Sequence, residues 1–204
     1  MARAASAIAS DLTSRVRGQE LFLRRIAAAH TAGHISGVDV DRAFAGAFMY
    51  CAIACERALE KLFIGLLVGE LTSSVRAVKP LITVRSHQVA TRIIRAERRY
   101  VDWLPYDNQT LKRAEAFFAS GKPFSLLSST GRDALEDMRV IRNALAHDSS
   151  SALRTFERRL TVGKSLPPSQ TRPAPYLRGA HHGSLTRMDV ITTQMLVAMR
   201  EICT

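Results

Sequence analysis

Apolar residues recur at helical spacing through most of the chain, the pattern of helices with one buried face. Strand-like alternation is scarce, and no Asn-Gly or Asp-Gly hairpin turn occurs. A first helix is expected from about Asp11 to Ala32, stopped by Gly33. A second runs from about Asp41, placed near its N-cap, to Val68. Its first half, AFAGAFMYCAIAC, is apolar on every side, so it should be surrounded, by its own domain or by a second protomer. Pro80 marks a break, and a third helix spans about Ser86 to Val101 with Ser86 as its cap. A short fourth helix covers Thr110 to Ser120 and ends at Gly121-Lys122-Pro123. The fifth runs from Thr130 to His147. Asp148 or a following serine caps a sixth, which reaches about Leu160.

The last helix, about Leu185 to Ile202, carries Met188, Ile191, Met195, Met199 and Ile202 on one face, best read as core filling. Between it and the sixth lies a loop from Gly163 to Gly183 with Pro167, Pro168, Pro173 and Pro175. The expected architecture is therefore an all-α helical bundle of six to seven helices. Its body covers residues 1–162, a Pro/Gly-rich loop 163–184, and a C-terminal helix over 185–204 packs back on the bundle.

Composition narrows the function classes. The chain has 204 residues, 47% of them apolar, enough for a core and against wholesale disorder. Twenty-nine lysines and arginines against 18 acids give a net charge of +11, which favours phosphate-bearing or acidic protein partners without choosing between them. The longest apolar run, Ala43 to Cys55, stops at Glu56 and Arg57, short of the roughly 20 residues that span a bilayer. Three cysteines and no C-x-x-C pair exclude a disulfide framework and disfavour a thiolate zinc site. No membrane association and a reducing, cytoplasmic setting are the expectation. The start, MARAASAIAS, has no signal-peptide core. It shares Ala, Arg and Ser with transit peptides, although an ordinary frayed terminus is the simpler reading.

Candidate chemistry concentrates in Met138-Arg-Val-Ile-Arg-Asn-Ala-Leu-Ala-His147. At about 100° per residue, Ala134, Met138, Ile141 and Leu145 form a buried stripe. Arg132, Glu136, Arg139, Asn143 and His147 line up opposite, with Arg142 at the border. Imidazole titrates at about pH 6.5, so His147 can move a proton at neutral pH. A guanidinium grips phosphate oxygens with a fixed fork. The pair suits attack of an RNA 2′-hydroxyl on the adjacent phosphate. His147 would carry a proton, Arg142 would stabilise the phosphorane-like transition state, and Asn143 would hold the imidazole or the phosphate. No metal or other cofactor is required. The same stripe also reads as a solvated, salt-bridged face ending in a histidine that complements the helix dipole.

The run Arg142-Asn-Ala-Leu-Ala-His147 resembles the R-x-x-x-x-H signature of the HEPN superfamily, including the polar residue after the arginine. DWLPYDNQTLKRAEAFFASGKPFSLL followed by IRNALAH resembles small stand-alone HEPN proteins of the RiboL-PSP type, and the resemblance covers about residues 40–160. It implies a metal-independent RNA endonuclease that works as a homodimer, with Arg142, Asn143 and His147 duplicated in a shared cleft and products ending in a 2′,3′-cyclic phosphate. It also implies a toxin or phage-defence effector with a cognate antitoxin as partner. Members that have lost activity imply the alternative, a module that binds nucleotide, RNA or a protein.

Arg85, Arg92, Arg95 and Arg99 fall on one side of the third expected helix. With Arg139 they are candidate RNA-binding residues, although the stripe also reads as a solvated face or a seat for an acidic protein. Tyr100, Trp103, Tyr106, Phe117, Phe118 and Phe124 cluster nearby in sequence. Core packing is the leading reading for them, base stacking the other. His30 with His34, and His181 with His182, are read as surface and loop residues rather than metal ligands. Cys51 and Cys55 are read as small core residues.

Overall fold

The computed structural model describes residues 2–73, 78–96, 98, 101–147 and 149–203. The fold is all-α, as the periodicity predicts. Eight α-helices occur among the described residues: α1 (Ser6–Thr31), α2 (Gly37–Leu67), α3 (His87–Arg95), α4 (Lys112–Phe117), α5 (Ser129–Ala146), α6 (Ser150–Phe156), α7 (Pro173–Arg178) and α8 (Arg187–Ile202). Among those residues no helix is long and apolar enough to cross a membrane.

The chain divides into two compact units. One comprises Met1–Thr13, Cys55–Glu136 and Met195–Thr204; the other comprises Ser14–Ala54 and Asp137–Gln194.

In the first unit, β1 (Arg3–Ala4) pairs in parallel with β2 (Leu71–Thr72). The N-terminus expected to fray is thus tied down, and α1 starts at Ser6 rather than Asp11. The core is aromatic. Phe63 has no exposed surface, and its ring centroid lies 5.3 Å from Trp103, 5.0 Å from Phe118 and 5.2 Å from Phe124. Tyr106 donates its hydroxyl hydrogen to the Phe124 carbonyl at 3.0 Å, and Thr110 donates to the Trp103 carbonyl. Burial pushes the Tyr106 phenol far above its ordinary range. Trp103, Tyr106, Phe118 and Phe124 are therefore core residues, out of reach of a base; Tyr100 lies outside the described residues. The Glu201 carboxylate accepts from the Ser128 amide at 2.9 Å and from its hydroxyl at 3.1 Å. Ser128 in turn accepts from the Gly131 amide at 3.0 Å, which closes the start of α5.

In the second unit, α2 begins with a reciprocal capping box instead of a cap at Asp41. The Ser36 amide and hydroxyl donate to Asp39 Oδ2 at 3.1 and 2.6 Å, and the Asp39 amide donates to Ser36 Oγ at 3.3 Å. Asp41 pairs with Arg178 at 3.2 Å. Phe44, Ala47, Phe48, Cys51 and Ala52 are buried, but Tyr50 and Ile53 are 43% and 40% exposed. The apolar first half of α2 is thus not covered on every side by its own chain. The Ser36 hydroxyl, then its amide, hold the Asp39 carboxyl below its ordinary value of 3.8. A lowered folded value means that the box stabilises the chain above the unfolded carboxylate range. The contribution is lost as pH falls through the folded value. Ser36→Ala should therefore move the Asp39 titration upward by NMR and flatten the acid limb of stability against pH. An unmoved titration would contradict the assignment.

The segment 163–184, expected as a loop, holds a 3-10 turn (Pro168–Gln170), α7, and strand β3 (Ala180–His182). β3 pairs antiparallel with β4 (Leu185–Thr186), which takes the first residues expected for the last helix. Prolines misled the expectation. Pro173 opens α7, where its missing N–H costs nothing, and Gly183 supplies the positive φ of +57° between the strands. Arg187 anchors the segment: its guanidinium donates to Gln170 Oε1 at 2.7 Å and lies 5.0 Å over the Tyr176 ring. Tyr176 meets Phe156 edge-on at 5.4 Å. Met188, Ile191, Met195, Met199 and Ile202 are all buried, as the spacing along α8 predicts.

Candidate functional site

The candidate chemistry sits where α5 gives way to α6, within the second unit. The buried arc of α5 is wider than four residues: Leu135, Val140 and Ala144 are buried along with Ala134, Met138 and Ile141, while Leu145 is half-buried. This narrows the polar side to a strip. Arg139, Asn143 and His147, at successive four-residue intervals, share it. α5 ends at Ala146, yet the His147 amide still donates to the Asn143 carbonyl at 2.9 Å. That bond keeps the imidazole in register with the strip while leaving the residue exposed.

Ser149 starts α6 by accepting from the Ala152 amide at 3.3 Å. It is the following serine that the sequence offered as a cap, and Asp148 lies outside the described residues. The turn brings α6 alongside the end of α5, and a concavity of about 270 Å³ opens between them. Arg139, Val140, Asn143 and His147 line one side; Ser149, Ser151, Ala152 and Thr155 line the other. Among the described lining residues there are thus one guanidinium, one imidazole, one carboxamide, three hydroxyls and no carboxylate. Such a set suits an anion that also carries hydroxyl groups.

Arg142 is half-buried and does not line this space. Its guanidinium donates to Asn143 Oδ1 at 2.9 Å. The contact uses one lone pair of the carboxamide oxygen and turns that oxygen toward Arg142, with the two Nδ2 hydrogens as the group's donors. Three of the residues singled out in the sequence, Arg139, Asn143 and His147, are therefore brought together, and Arg142 reaches them through Asn143. The wall from α6 has no counterpart in the sequence pattern: Ser151 and Thr155 become neighbours of α5 only through packing. Thr155 donates to the Ser151 carbonyl at 2.9 Å.

The third expected helix is shorter than its stripe. Ala96 takes a φ of +50° and returns its amide to the carbonyls of Arg92 and Ile93, so α3 stops at Arg95. Arg85 precedes the Ser86 cap, which accepts from the Val89 amide at 3.4 Å. Of the three described arginines, Arg92 and Arg95 lie on the helix, both exposed; Arg99 lies outside the described residues.

Other reactive groups have structural roles. Burial pushes the Cys51 and Cys203 thiols up to about 12, so neither is a thiolate at neutral pH. Cys55 is buried too. His30 Nδ1 lies 2.9 Å from the Ile35 carbonyl, closing the end of α1. His181 and His182 are exposed on β3. Among the described residues, no group of three or more His, Cys, Asp or Glu is arranged to hold a metal ion.

No protein-family model, curated protein or solved structure matches the chain.

Proposed function

We propose that this chain is a metal-independent RNA endonuclease of the HEPN type, acting in the cytoplasm as a toxin or phage-defence effector held by a cognate antitoxin. The observation that carries the reading is the concavity in which Arg139, Asn143 and His147 face three hydroxyls, beside the Arg142–Asn143 hydrogen bond. In the proposed reaction the ribose 2′-oxygen bonds to the adjacent phosphorus and the bond from phosphorus to the 5′-oxygen breaks. The 2′-hydroxyl proton passes to an imidazole, and a proton is delivered to the leaving 5′-oxygen. Arg139 offers its guanidinium to the phosphate, and Asn143, oriented by Arg142, donates to the charge that grows on it.

A second copy would set a second His147 beside the first, one imidazole accepting a proton while the other delivers one, and an isologous interface would duplicate the site. Tyr50 and Ile53, large apolar side chains exposed on the apolar half of α2, support such pairing. The test is purified full-length protein incubated with total RNA in excess chelator. Cleavage should persist in EDTA, and a strict requirement for a divalent cation would contradict the proposal.

The engagement of Arg142 with Asn143 favours a second reading, a HEPN-like module that binds nucleotide, RNA or a partner and turns nothing over. It predicts retention of RNA in a filter-binding assay with no new ends after prolonged incubation.

A further inference from the structure

Helix α3 displays what a solvent-facing helix should hide. Ala90 and Ile94, four apart, are its buried row. The preceding row, Val89 and Ile93, is turned away by about 100° and is 47% and 42% exposed. The row beyond that carries Arg92, with Arg95 further round, both exposed. β-Branched residues lower helix propensity, and here each offsets that cost with only part of its surface covered by the chain. Leu81 and Ile82, shortly before the helix, are 55% and 40% exposed. From Leu71 to Ala96 the sequence contains Arg76, Lys79, Arg85, Arg92 and Arg95 and no acid. Single exposed aliphatics are ordinary; a stacked pair beside arginines in an acid-free stretch marks a contact surface.

We infer that the Val89–Ile93 row with Arg92 and Arg95 is a docking surface for a partner protein segment that carries both acidic and apolar side chains. Charge complementarity fixes the sign of the partner, and the aliphatic row fixes its other half. An RNA backbone would use the arginines and gain nothing from Val89 and Ile93. Stacked bases need aromatic platforms, and the exposed row has none. A membrane-surface helix inserts its most apolar face, whereas Ala90 and Ile94 are already buried in the chain's own core. The surface stands apart from the cleavage proposal and does not depend on it.

The test is selection of short displayed random peptides against the full-length protein, with the enriched peptides then measured by anisotropy. Val89→Ser/Ile93→Ser and Arg92→Glu/Arg95→Glu serve as variants, each first checked for an unchanged circular-dichroism melt. Enriched peptides should combine Asp or Glu with aliphatic residues at helical spacing, and each double variant should weaken them about tenfold or more. Peptides without acids, or insensitive to either variant, would overturn the inference. So would no enrichment at all. A single-stranded RNA oligonucleotide or phosphatidylserine vesicles bound through the arginines with no contribution from Val89 and Ile93 would overturn it as well.

Discussion

Replacing His147 with alanine is expected to lower RNA cleavage by about 10²- to 10⁴-fold, the usual worth of a positioned acid or base, with no loss of folding. The two halves of this expectation have different causes. Among the described residues that line the α5–α6 concavity, the imidazole is the side chain whose chemistry suits general acid or base work. On the proposed mechanism, its removal takes away proton transfer and leaves Arg139, Asn143 and the hydroxyls to hold substrate. KM should thus move far less than kcat. Stability is spared because His147 lies past the last residue of α5 and is exposed. The hydrogen bond that holds its position runs from its backbone amide to the Asn143 carbonyl, which alanine retains. Single-turnover rates with a purified RNA, alongside a thermal melt, make the comparison. Wild-type cleavage by the variant would remove His147 from the mechanism.

The largest effect on stability is expected at Phe63. Phe63→Ala should cost about 3–5 kcal/mol. The ring is wholly buried within contact distance of Trp103, Phe118 and Phe124, with Phe117 edge-on at 6.0 Å. The hole cannot close cheaply, because two of the surrounding segments are pinned by buried hydrogen bonds: Tyr106 to the Phe124 carbonyl and Thr110 to the Trp103 carbonyl. Arg113 adds a further constraint by lying 5.0 Å over the Trp103 ring. The urea midpoint of the full-length chain measures the cost. A loss under about 1 kcal/mol would show that the aromatic group repacks freely.

What the sequence made legible follows the distance over which each cause acts. The stripe of methionines and isoleucines on α8 and the Ser86 cap depend on residues three or four apart and lie where local periodicity puts them, and of the α5 stripe Ala134, Met138 and Ile141 are buried as expected while Leu145 is only half-buried. The face shared by Arg139, Asn143 and His147 is readable for the same reason. The stop of α3 at Ala96 carries no such mark, since its positive φ falls on an alanine rather than a glycine. The Ser36–Asp39 capping box is written in the sequence as Ser-x-x-Asp, whereas Asp41 merely adjoins the apolar run; the same device opens α8 at Thr186 and Asp189. Thr155 in the wall of the concavity was beyond reach, because it joins the site only when α6 folds against α5. The same holds for Arg142: sequence placed it at the border of the polar face, and only side-chain geometry turns it toward Asn143.

The most direct test of the central claim uses one defined RNA in two forms, all-ribose and with a single 2′-deoxy nucleotide at the cut position, in chelator with the wild-type chain. The all-ribose strand should yield a 2′,3′-cyclic phosphate and a 5′-hydroxyl end, and the 2′-deoxy strand should stay intact at that position. Equal cutting of both strands, or fragments ending in a 3′-hydroxyl, would contradict attack by the 2′-oxygen and with it the roles assigned to Arg139, Asn143 and His147.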